Sequence, residues 1–455
     1  GRTGMELRGR EVLVLGIGES GTAAARLLVR EGAQVRCSDG GAGPEVRRRA
    51  AALEKIGCRV EFGGHTADFS RGVSLAVLSP GIDPSVPAVR RLRDAGTELI
   101  SEIELAFALC RRPVTAVTGT NGKTTVVTLI ERILREDGRR ADACGNIGRA
   151  FSDCVRNDGE EGIFVVEASS FQLEASRRFR PRVAVALNLS DDHLDRYRTI
   201  EEYGAAKAAI FRNQGEGDSA LVKAEERPAW ERRGLRRGQR ILEFSAARRV
   251  AEGACLDGDA LTLVSGGKRE TVCRRDELPL AGGHDLENAL AAAAAAAASG
   301  ARPASIRRVL GEFKGLPHRM EPVGSRNGVL FVNDSKATNP DAVRRALESA
   351  KKPVVLIAGG RDKGFDYAQL RAAVRHAAKG VVLFGEARDT MARALSGAAP
   401  IRLAGTLEEA VRAAADQAEP GETVLLSPAC ASYDMFKNYE ERGDAFKRIV
   451  GQLRP

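Results

Sequence analysis

The chain has 455 residues, a formal net charge of +9 and a hydrophobic content of 43%. That hydrophobic fraction excludes a disordered chain, and the length favours about three domains. No apolar run approaches the ~20 residues of a membrane helix, and the apolar stretch at 12–15 is too short for a signal peptide, so we expect a cytoplasmic protein with no membrane partner.

The cysteines and the basic charge argue against two further classes of protein. The eight cysteines contain no C-x-x-C pair, which speaks against a zinc knuckle or a redox motif and favours reduced thiols. The arginines are scattered and few aromatic residues accompany them, so we expect no nucleic-acid partner. An anionic small-molecule substrate explains the charge equally well, and we expect a monomer.

The first region begins with the apolar run "EVLVL" (11–15), followed by "GIGESG" (16–21), a helical stretch and a second strand that ends in Asp39. This order predicts a βαβ unit, and the region closes near residue 100. The glycines of G-x-G-x-x-G let backbone N–H groups approach a diphosphate at a helix N-terminus. By itself the motif fits a nicotinamide or flavin oxidoreductase, another nucleotide diphosphate, or a plain tight turn.

The second region begins with the strand "PVTAVTG" and the loop "TGTNGKTT" (118–125). A standard Walker loop would place its first glycine at 117, but Val117 stands there and the glycine present is Gly119. In this loop Lys123 would neutralise phosphate charge and the hydroxyl of Thr124 is placed to reach Mg²⁺. The chain therefore carries two nucleotide-like sites, and a dehydrogenase does not need the second.

Three further polar residues follow strands or lie on a helix of this region. Glu167 ends "IFVVE", His193 lies in "LNLSDDHLDRY", and Lys207 lies in the helical stretch "EEYGAAKAAIF". Each has an ordinary structural interpretation by itself: a strand-terminal Glu, a loop His and a surface Lys. Together with Thr124 they supply ligand types that could hold two Mg²⁺ ions around a γ-phosphate.

The rest of the chain continues the alternation of strands and helices. Short β-like runs occupy residues 219–280, and "NALAAAAAAAASG" (288–300) predicts an alanine-rich helix that glycine ends. From about 316, "GVLFVND", "KPVVLIAGG", "GVVLFG" and "ETVLLSPA" predict a second doubly wound unit. We expect three α/β domains with mainly parallel sheets and sites at the carboxyl ends of strands, divided near 100 and 315.

Seven segments resemble, in matching order, those of the Mur ligases of peptidoglycan synthesis, and the resemblance as a whole runs from about residue 10 to 446. They are "GTNGKTT", "VEASSFQLE", "LNLSDDHLDRY", "YGAAKAAIF", "GLPHRME", "VNDSKATNP" and "LSPACASYDMFKNYEERG". The compressed loop is the form that these ligases and folylpolyglutamate synthases use to phosphorylate a carboxylate. The last segment is similar to that of the members that add D-glutamate to UDP-N-acetylmuramoyl-L-alanine.

The resemblance implies an ATP-dependent acid–D-amino-acid ligase with three domains. They are a Rossmann-like UDP-substrate-binding domain (5–100), a central P-loop ATPase domain (101–315) and a Rossmann-like C-terminal domain that binds the amino acid (316–455). The substrate carboxylate would take the γ-phosphate of ATP, and the amine of D-glutamate would displace phosphate from the resulting acyl phosphate. Two Mg²⁺ sites and three small-molecule substrates follow from the same resemblance.

The resemblance also assigns residues to roles. The catalytic set is Lys123, His193, Lys207 and Lys336, and the metal ligands are Thr124, Glu167, His193 and Lys207 as a carbamate. ATP-binding positions are Gly119, Thr120, Asn121, Gly122, Lys123, Thr124, Thr125, Asn288, Arg319 and Asp334. The UDP-substrate positions are Gly18, Glu19, Ser20, Asp39, Ser79, Pro80, Gly81, Asn146 and Ser169. The D-glutamate positions are Thr338, Lys363, Ser432, Tyr433 and Tyr439.

The chain departs from the family pattern at three places. Gly40 and Gly41 stand where members often carry Thr and Arg near the uracil, Asp285 stands where Asn is common, and Tyr439 replaces Phe. None of the three takes part in phosphoryl transfer. Three other functions stay open from the residues: a sister ligase for another amino acid, a nucleotide-sensing protein with an inactive ATPase, and a redox enzyme that uses "GIGESG".

Overall fold

A computed structural model of the chain describes residues 5–83, 85–146, 148–155, 159, 161–190, 197, 199–236, 238–279, 283–350 and 353–453. These residues form three sheets in two compact units. The first unit contains the first two sheets, and the second unit contains the third sheet. The architecture is the mixed α/β fold with mainly parallel sheets that the sequence predicts.

The first sheet has five parallel strands in the order β3-β2-β1-β4-β5. The strands are β1 (Glu11–Leu15), β2 (Gln34–Asp39), β3 (Arg59–Phe62), β4 (Leu75–Leu78) and β5 (Glu98–Ser101). The helices are α1 (Glu19–Arg30), α2 (Pro44–Glu54), α3 (Ala67–Ser70), α4 (Pro87–Asp94) and α5 (Glu102–Leu109). The strand order reverses between β1 and β4, which opens a crevice for a ligand at their carboxyl ends.

The second sheet has nine strands in the order β14-β13-β12-β11-β10-β9-β6-β8-β7. The strands are β6 (Val114–Thr118), β7 (Ala141–Gly145), β8 (Ile163–Glu167), β9 (Val183–Ala186), β10 (Ser219–Lys223), β11 (Arg240–Ser245), β12 (Gly253–Asp257), β13 (Ala260–Ser265) and β14 (Lys268–Arg274). The last three form an antiparallel meander, whereas β6 lies between β8 and β9 in a parallel arrangement. The phosphate loop therefore leaves the sheet at the carboxyl end of a central strand.

The helices of this central region are α6 (Lys123–Glu136), α7 (Phe151–Val155), α8 (Ser170–Glu174), α9 (Ile200–Ala208), α10 (Arg227–Arg232), α11 (Gly283–Ala298) and α12 (Pro303–Glu312). Helix α11 is the alanine-rich helix that the sequence predicts, and its residues from Ala289 to Ala296 are buried. Alanine favours the helical backbone and lets neighbouring elements approach closely. The repetitive composition is thus that of a packed helix.

The third sheet has six strands in the order β15-β16-β20-β17-β18-β19. The strands are β15 (Glu321–Arg326), β16 (Val329–Asn333), β17 (Val354–Gly359), β18 (Ala378–Phe384), β19 (Ile401–Leu403) and β20 (Thr423–Leu426). The helices are α13 (Pro340–Glu348), α14 (Arg371–Ala377), α15 (Arg388–Leu395), α16 (Leu407–Gln417) and α17 (Tyr439–Gln452). Only the β15–β16 pair is antiparallel, so the loops after β16, β17 and β20 share one edge.

The strands named from the sequence are present, and each glycine-rich or polar loop follows the strand that was expected to precede it. Strands β3, β5, β7, β10, β12, β15 and β19 were not named individually from the sequence, because they are short and carry exposed or charged positions. The first sheet ends at Ser101 and the third begins at Glu321. The domain boundaries at 100 and 315 stay a prediction.

Gly21 gives a direct test of how tightly the first glycine loop closes. A Cβ atom at this position would lie 1.8 Å from the carbonyl oxygen of Gly16 and 2.6 Å from Ser79 Oγ. We expect Gly21→Ala to lower the free energy of unfolding by about 2 kcal/mol, because the clash outweighs the gain in helix propensity. Gly43→Ala is the matched control, since a Cβ there meets nothing within 4 Å. Equal urea midpoints for the two variants would contradict this account.

Candidate active site

Three loops meet at the carboxyl edge of the first sheet, where α1 begins at Glu19 with Gly18 as its N-cap residue. The backbone N–H of Ile17 donates to Asp39 Oδ2 at 2.8 Å, which joins the loops after β1 and β2. Ser79 Oγ donates to the carbonyl of Gly16 at 2.7 Å, which adds the loop after β4. The structure thus brings the predicted residues of these three loops together in one crevice.

Asp39 has a structural task that sequence reasoning did not foresee. Its second oxygen, Oδ1, accepts from the backbone N–H of Gly41 at 2.8 Å, so both carboxylate oxygens hold loop backbone. The remaining lone pairs can still accept from a ligand hydroxyl. Gly40 and Gly41, which depart from the family pattern, therefore leave this edge without side chains at these two positions. The hydrogen bond from the backbone of Gly41 to Asp39 is still formed.

A cavity of about 510 Å³ lies beside this crevice, between α1, α2 and the segment that follows Asn146. Its lining is strongly charged, and consists of Glu19, Thr22, Arg26, Glu45, Arg48, Arg49, Ala52, Gly148, Arg149, Ala150 and Asp153. Arg49 Nη1 also donates to the carbonyl of Ile17 at 3.3 Å. Guanidinium groups therefore stand close to the predicted diphosphate loop.

The phosphate loop leaves β6 and enters α6 at Lys123, as the sequence predicts. Gly119 and Gly122 have φ values of +151° and +86°, which other residues rarely adopt. The ammonium of Lys123 donates to the carbonyls of Gly119 and Thr120 at 2.8 and 2.9 Å, which holds it over the loop. Asn288 also packs here, since a Cβ on Gly122 would lie 2.3 Å from its Oδ1.

Asn188 shapes this loop, although the sequence analysis assigned it no role. It follows β9, and its Oδ1 accepts from the N–H of Asn121 at 2.9 Å while its Nδ2 donates to the Asn121 carbonyl at 3.0 Å. Its own carbonyl accepts from the N–H of Thr120 at 3.0 Å. The signal in the sequence is a single amide directly after a buried apolar strand, "VALN".

Glu167 links the phosphate loop to the loop that carries Asn146. Thr124 Oγ1 donates to Glu167 Oε2 at 2.9 Å, and Asn146 Nδ2 donates to Glu167 Oε1 at 3.1 Å. The Glu167 side chain is buried at the end of β8, between β6 and β7. The structure therefore brings together three residues that were predicted from three separate segments.

Lys207 is a buried lysine, 1% exposed, and not a residue of a helix surface. Its Nζ donates to the carbonyl of Gly119 at 2.9 Å and lies 4.3 Å from the ring centre of Tyr203. The ordinary interpretation of a solvated surface lysine is thus wrong.

Two other predicted residues belong to this region. Ser169 forms a capping box with Gln172 at the start of α8. His193 lies outside the described residues.

In the second unit, Asp334 lies directly after β16 and is buried. Ser427 Oγ donates to Asp334 Oδ2 at 2.8 Å, and the N–H of Met320 donates to Oδ1 at 3.2 Å. Burial raises the pKa of Asp334 to about 7, the hydrogen bonds and the positive charge of Arg319 oppose this rise, and the negative charge of Asp285 adds to it. Asp285, one of the departures from the family pattern, thus affects the protonation of Asp334.

Lys336 lies over the aromatic ring of Tyr439, with its Nζ 3.8 Å from the ring centre. The backbone carbonyl of Tyr439 accepts from Ser335 Oγ at 2.8 Å. The backbone of residue 439 therefore binds the loop after β16, whereas its ring supports the ammonium of Lys336. A phenylalanine at this position would keep both contacts, so a tyrosine in place of the family's phenylalanine changes neither of them.

Arg442 is a residue that the sequence analysis missed. Its guanidinium is fully buried and donates to Ser335 Oγ, the Ser335 carbonyl and the Cys430 carbonyl at 3.0, 2.8 and 3.1 Å. Burial lowers its pKa to about 10, so the group keeps its charge at neutral pH. It joins the loop after β16 to the loop after β20, and "YEERG" alone gives no sign that this arginine points inward.

The remaining predicted D-glutamate residues line the same edge with different exposure. Thr338 and Lys363 are half-buried, Ser432 is buried, and Tyr433 is 65% exposed. The backbone N–H of Arg361 donates to the Ala431 carbonyl at 2.9 Å, which brings the loop after β17 to the loop after β20. These loops carry the predicted residues to one face of the second unit, and their roles stay predictions.

Comparison with known proteins gives a consistent result along the whole chain. Three family models match: the MurD-like N-terminal domain of Mur ligases over residues 10–101, the Mur ligase middle domain over residues 117–296, and the glutamate ligase domain of Mur ligases over residues 318–430. UDP-N-acetylmuramoylalanine–D-glutamate ligase from Pelotomaculum thermopropionicum is 44% identical, with 98% of each chain covered. The enzyme of that name from Salinibacter ruber is 43% identical over 98% of this chain and 99% of its own length.

Solved structures of more distant proteins share the fold. UDP-N-acetylmuramate–alanine ligase MurC from Thermotoga maritima matches with a TM-score of 0.61 at 20% identity, over 97% of this chain and 100% of that one. MurF ligase from Thermotoga maritima in complex with ADP matches with a TM-score of 0.61 at 18% identity, over 98% of this chain and 96% of that one. At these identities the likeness concerns the fold.

Asp334 makes the stability of the second unit depend on pH. A carboxyl whose pKa is raised by folding contributes stability that is fully present below its ordinary pKa of 3.8 and is lost as the pH rises through about 7. The largest loss is about 4 kcal/mol. We expect the urea midpoint to fall less steeply between pH 5 and 8 in Asp334→Asn than in wild type. Asp389→Asn, at a carboxyl with 63% exposure, is the control, and an unchanged slope in Asp334→Asn would overturn the assignment.

Proposed function

The chain belongs to the Mur ligase family, and on this basis we propose that it joins D-glutamate to UDP-N-acetylmuramoyl-L-alanine in an ATP-dependent reaction of peptidoglycan precursor synthesis. The observation that carries the proposal is the Thr124–Glu167–Asn146 network at the phosphate loop. We assign its hydroxyl and carboxylate to the ATP phosphates and its amide to the second substrate. A nicotinamide enzyme would need neither the loop nor the network.

The first step transfers the γ-phosphoryl group. The carboxylate of the UDP-linked substrate attacks the γ-phosphorus, the bond from phosphorus to the ADP oxygen breaks, and an acyl phosphate and ADP result. The transferring group is highly anionic, so fixed positive charge and N–H donors supply most of the stabilisation. Lys123, already held over the loop, supplies the ammonium, and the backbone N–H groups in the first turn of α6 supply donors.

Mg²⁺ fits the oxygen ligands of this site. The Thr124 hydroxyl and the Glu167 carboxylate lie within 2.9 Å of each other, and such oxygens are the ligands that Mg²⁺ prefers. A bound ion would neutralise the charge that develops on the phosphoryl oxygens. Lys207 as a carbamate, and His193, which lies outside the described residues, would complete a second site.

The second step forms the amide bond. The amine of D-glutamate attacks the acyl carbon, a tetrahedral intermediate forms, and its collapse expels inorganic phosphate while the new amide nitrogen loses a proton. Phosphorylation is needed because an oxide ion is a very poor leaving group from a carboxylate. We assign Thr338, Lys363, Ser432, Tyr433 and Tyr439 to hold D-glutamate, with Lys336 near the reacting groups.

Charge supports an acidic amino acid in the second unit. The buried guanidinium of Arg442 hydrogen-bonds to neutral oxygens of Ser335, Cys430 and Ala431, so its charge contributes a positive potential beneath these loops. Lys336, on the loop after β16, and Lys363, on the loop after β17, add two ammonium groups. A dicarboxylate ligand fits this potential better than alanine does.

Among the described residues, no helix combines the length and apolar character that a bilayer crossing requires.

Substrate dependence tests the proposal directly. We expect phosphate release from ATP, with UDP-N-acetylmuramoyl-L-alanine and Mg²⁺ present, to depend on D-glutamate within a panel that includes L-alanine, L-lysine, diaminopimelate and L-glutamate. Mass spectrometry of the product should show one added glutamate. Activity with a different amino acid would keep the ligase chemistry and overturn the substrate, and silence with every pair would favour a binding protein.

The carbamate role of Lys207 has its own test. We expect Lys207→Ala to lower kcat by at least 100-fold and added formate or acetate to restore part of the activity, because a small carboxylate can replace the carbamate oxygens. Lys123→Ala is the matched control, since it loses an ammonium that no carboxylate can replace. Equal responses of the two variants would leave the carbamate role without support.

A further inference from the structure

The first sheet joins the central region through the segment Ser101–Glu104, directly after β5. Ser101 is the register partner of Leu78 in β4, and the residue after Leu78 is Ser79. Helix α5 follows without a linker, and the N–H of Glu104 donates to Ser101 Oγ at 3.3 Å. Glu102 therefore begins beside the Ser79 loop, which is one half of the proposed UDP-substrate site.

Glu102 is a carboxyl group inside the protein, with a side chain that is 0% exposed. Its Oε1 accepts from the backbone N–H of Ser152 at 2.6 Å, in the first turn of α7. Glu102 Oε2 and Ser152 Oγ are also buried, and among the described residues neither has a hydrogen-bond partner beyond the other. Burial raises the pKa of Glu102 to about 7, and the contacts with Ser152 oppose this rise. A buried carboxyl with so few partners destabilises a fold, so its presence calls for a role.

The helix that Glu102 holds continues the loop that carries Asn146, which is the other half of the proposed site. The N–H of Gly145 donates to the Arg149 carbonyl at 2.9 Å, and this bond closes the loop between β7 and α7. Asn146 is fixed at both ends, because its N–H donates to the Glu167 carbonyl at 2.9 Å and its side chain donates to Glu167 Oε1 at 3.1 Å. A shift of α7 would thus be transmitted to Asn146 through a short closed loop.

We propose that Glu102 is a positioning residue for the UDP-linked substrate. It touches no reacting atom, but its backbone belongs to the edge that carries the Ser79 loop and its carboxyl holds the helix behind the Asn146 loop. It fixes the distance between these loops, so that one diphosphate sugar can contact both. This inference rests on the proposed function, since it names a residue that serves the same substrate.

The same junction offers a matched control. The carboxylate of Glu104 is also buried, and it accepts from the N–H groups of Arg178 and Phe179 at 2.7 and 2.9 Å. It anchors α5 to the segment after α8, which carries none of the proposed substrate loops. Glu104→Gln should therefore lower the stability of the junction and leave the affinity for the UDP-linked substrate unchanged.

The experiment measures the KM values of the three substrates for wild type, Glu102→Ala, Glu102→Gln and Glu104→Gln, together with their thermal midpoints. We expect Glu102→Ala to raise the KM of the UDP-linked substrate about tenfold, the effect of one lost buried hydrogen bond, while the KM values of ATP and D-glutamate change less than about twofold. Glu102→Gln should restore the KM, because its amide oxygen accepts from Ser152 and its N–H₂ can donate to Ser152 Oγ.

The outcomes distinguish a failure of the proposed function from a failure of the positioning role of Glu102. If wild type shows no D-glutamate-dependent phosphate release, the proposed function fails and the role of Glu102 falls with it. If wild type is active and Glu102→Ala changes all three KM values equally, or none of them, only the positioning role is overturned. If Glu102→Ala does not fold, Glu102→Asp is measured instead, because it shortens the side chain by one methylene. This variant must show the same selective rise in the KM of the UDP-linked substrate.

Discussion

The active site depends on the carboxylate of Glu167, which accepts from Thr124 at 2.9 Å and from Asn146 at 3.1 Å. One oxygen faces the phosphate loop and the other holds the loop that we assign to the UDP-linked substrate. The arrangement is possible because β8 lies between β6 and β7, so the carboxyl ends of three adjacent parallel strands converge on one point. Close packing at Gly145 supports it, since a Cβ there would lie 2.3 Å from the Glu167 carbonyl. The loops that we assign to phosphate binding and to substrate binding are therefore joined by one buried side chain.

Buried charged groups anchor loops in both units. In the first unit, the carboxyl groups of Glu102, Glu104 and Glu167 accept from backbone N–H groups or neutral side chains. Glu102 and Glu167 hold elements that carry proposed substrate loops, whereas Glu104 anchors α5 to the segment after α8. In the second unit, the buried cation of Arg442 donates to backbone carbonyls and a hydroxyl. Burial of a charge is costly, and these groups reduce the cost by hydrogen bonds to neutral groups. The sign of each charge also suits its proposed neighbourhood: a carboxylate where Mg²⁺ and ATP are proposed to bind, and a positive potential where an acidic amino acid is proposed to bind.

The sequence predicted well those features that depend on local order along the chain. The apolar runs located the principal strands, and the glycine patterns located the loops that follow β1 and β6. It also identified Thr124 from the phosphate-loop motif and Glu167 from its place at the end of a strand, whereas Asn146 came from the resemblance to the Mur ligases. The Lys207 side chain shows the limit of this reasoning. A lysine on a helix is usually solvated, and only the packing of α9 against the phosphate loop decides that its Nζ is buried on the Gly119 carbonyl.

The sequence by itself determined the fold class, the order of the strands and helices, and the family with its phosphate loop, because periodicity and short motifs express local backbone preferences and strand-end positions. Only the tertiary structure decided that both oxygens of Asp39 accept from backbone N–H groups and that Asn188 shapes the phosphate loop. It also decided that Glu102 and Arg442 point inward. These features depend on contacts between residues far apart in the chain. A charged residue in a sequence looks the same whether its side chain is solvated or buried, and the folded packing alone distinguishes the two.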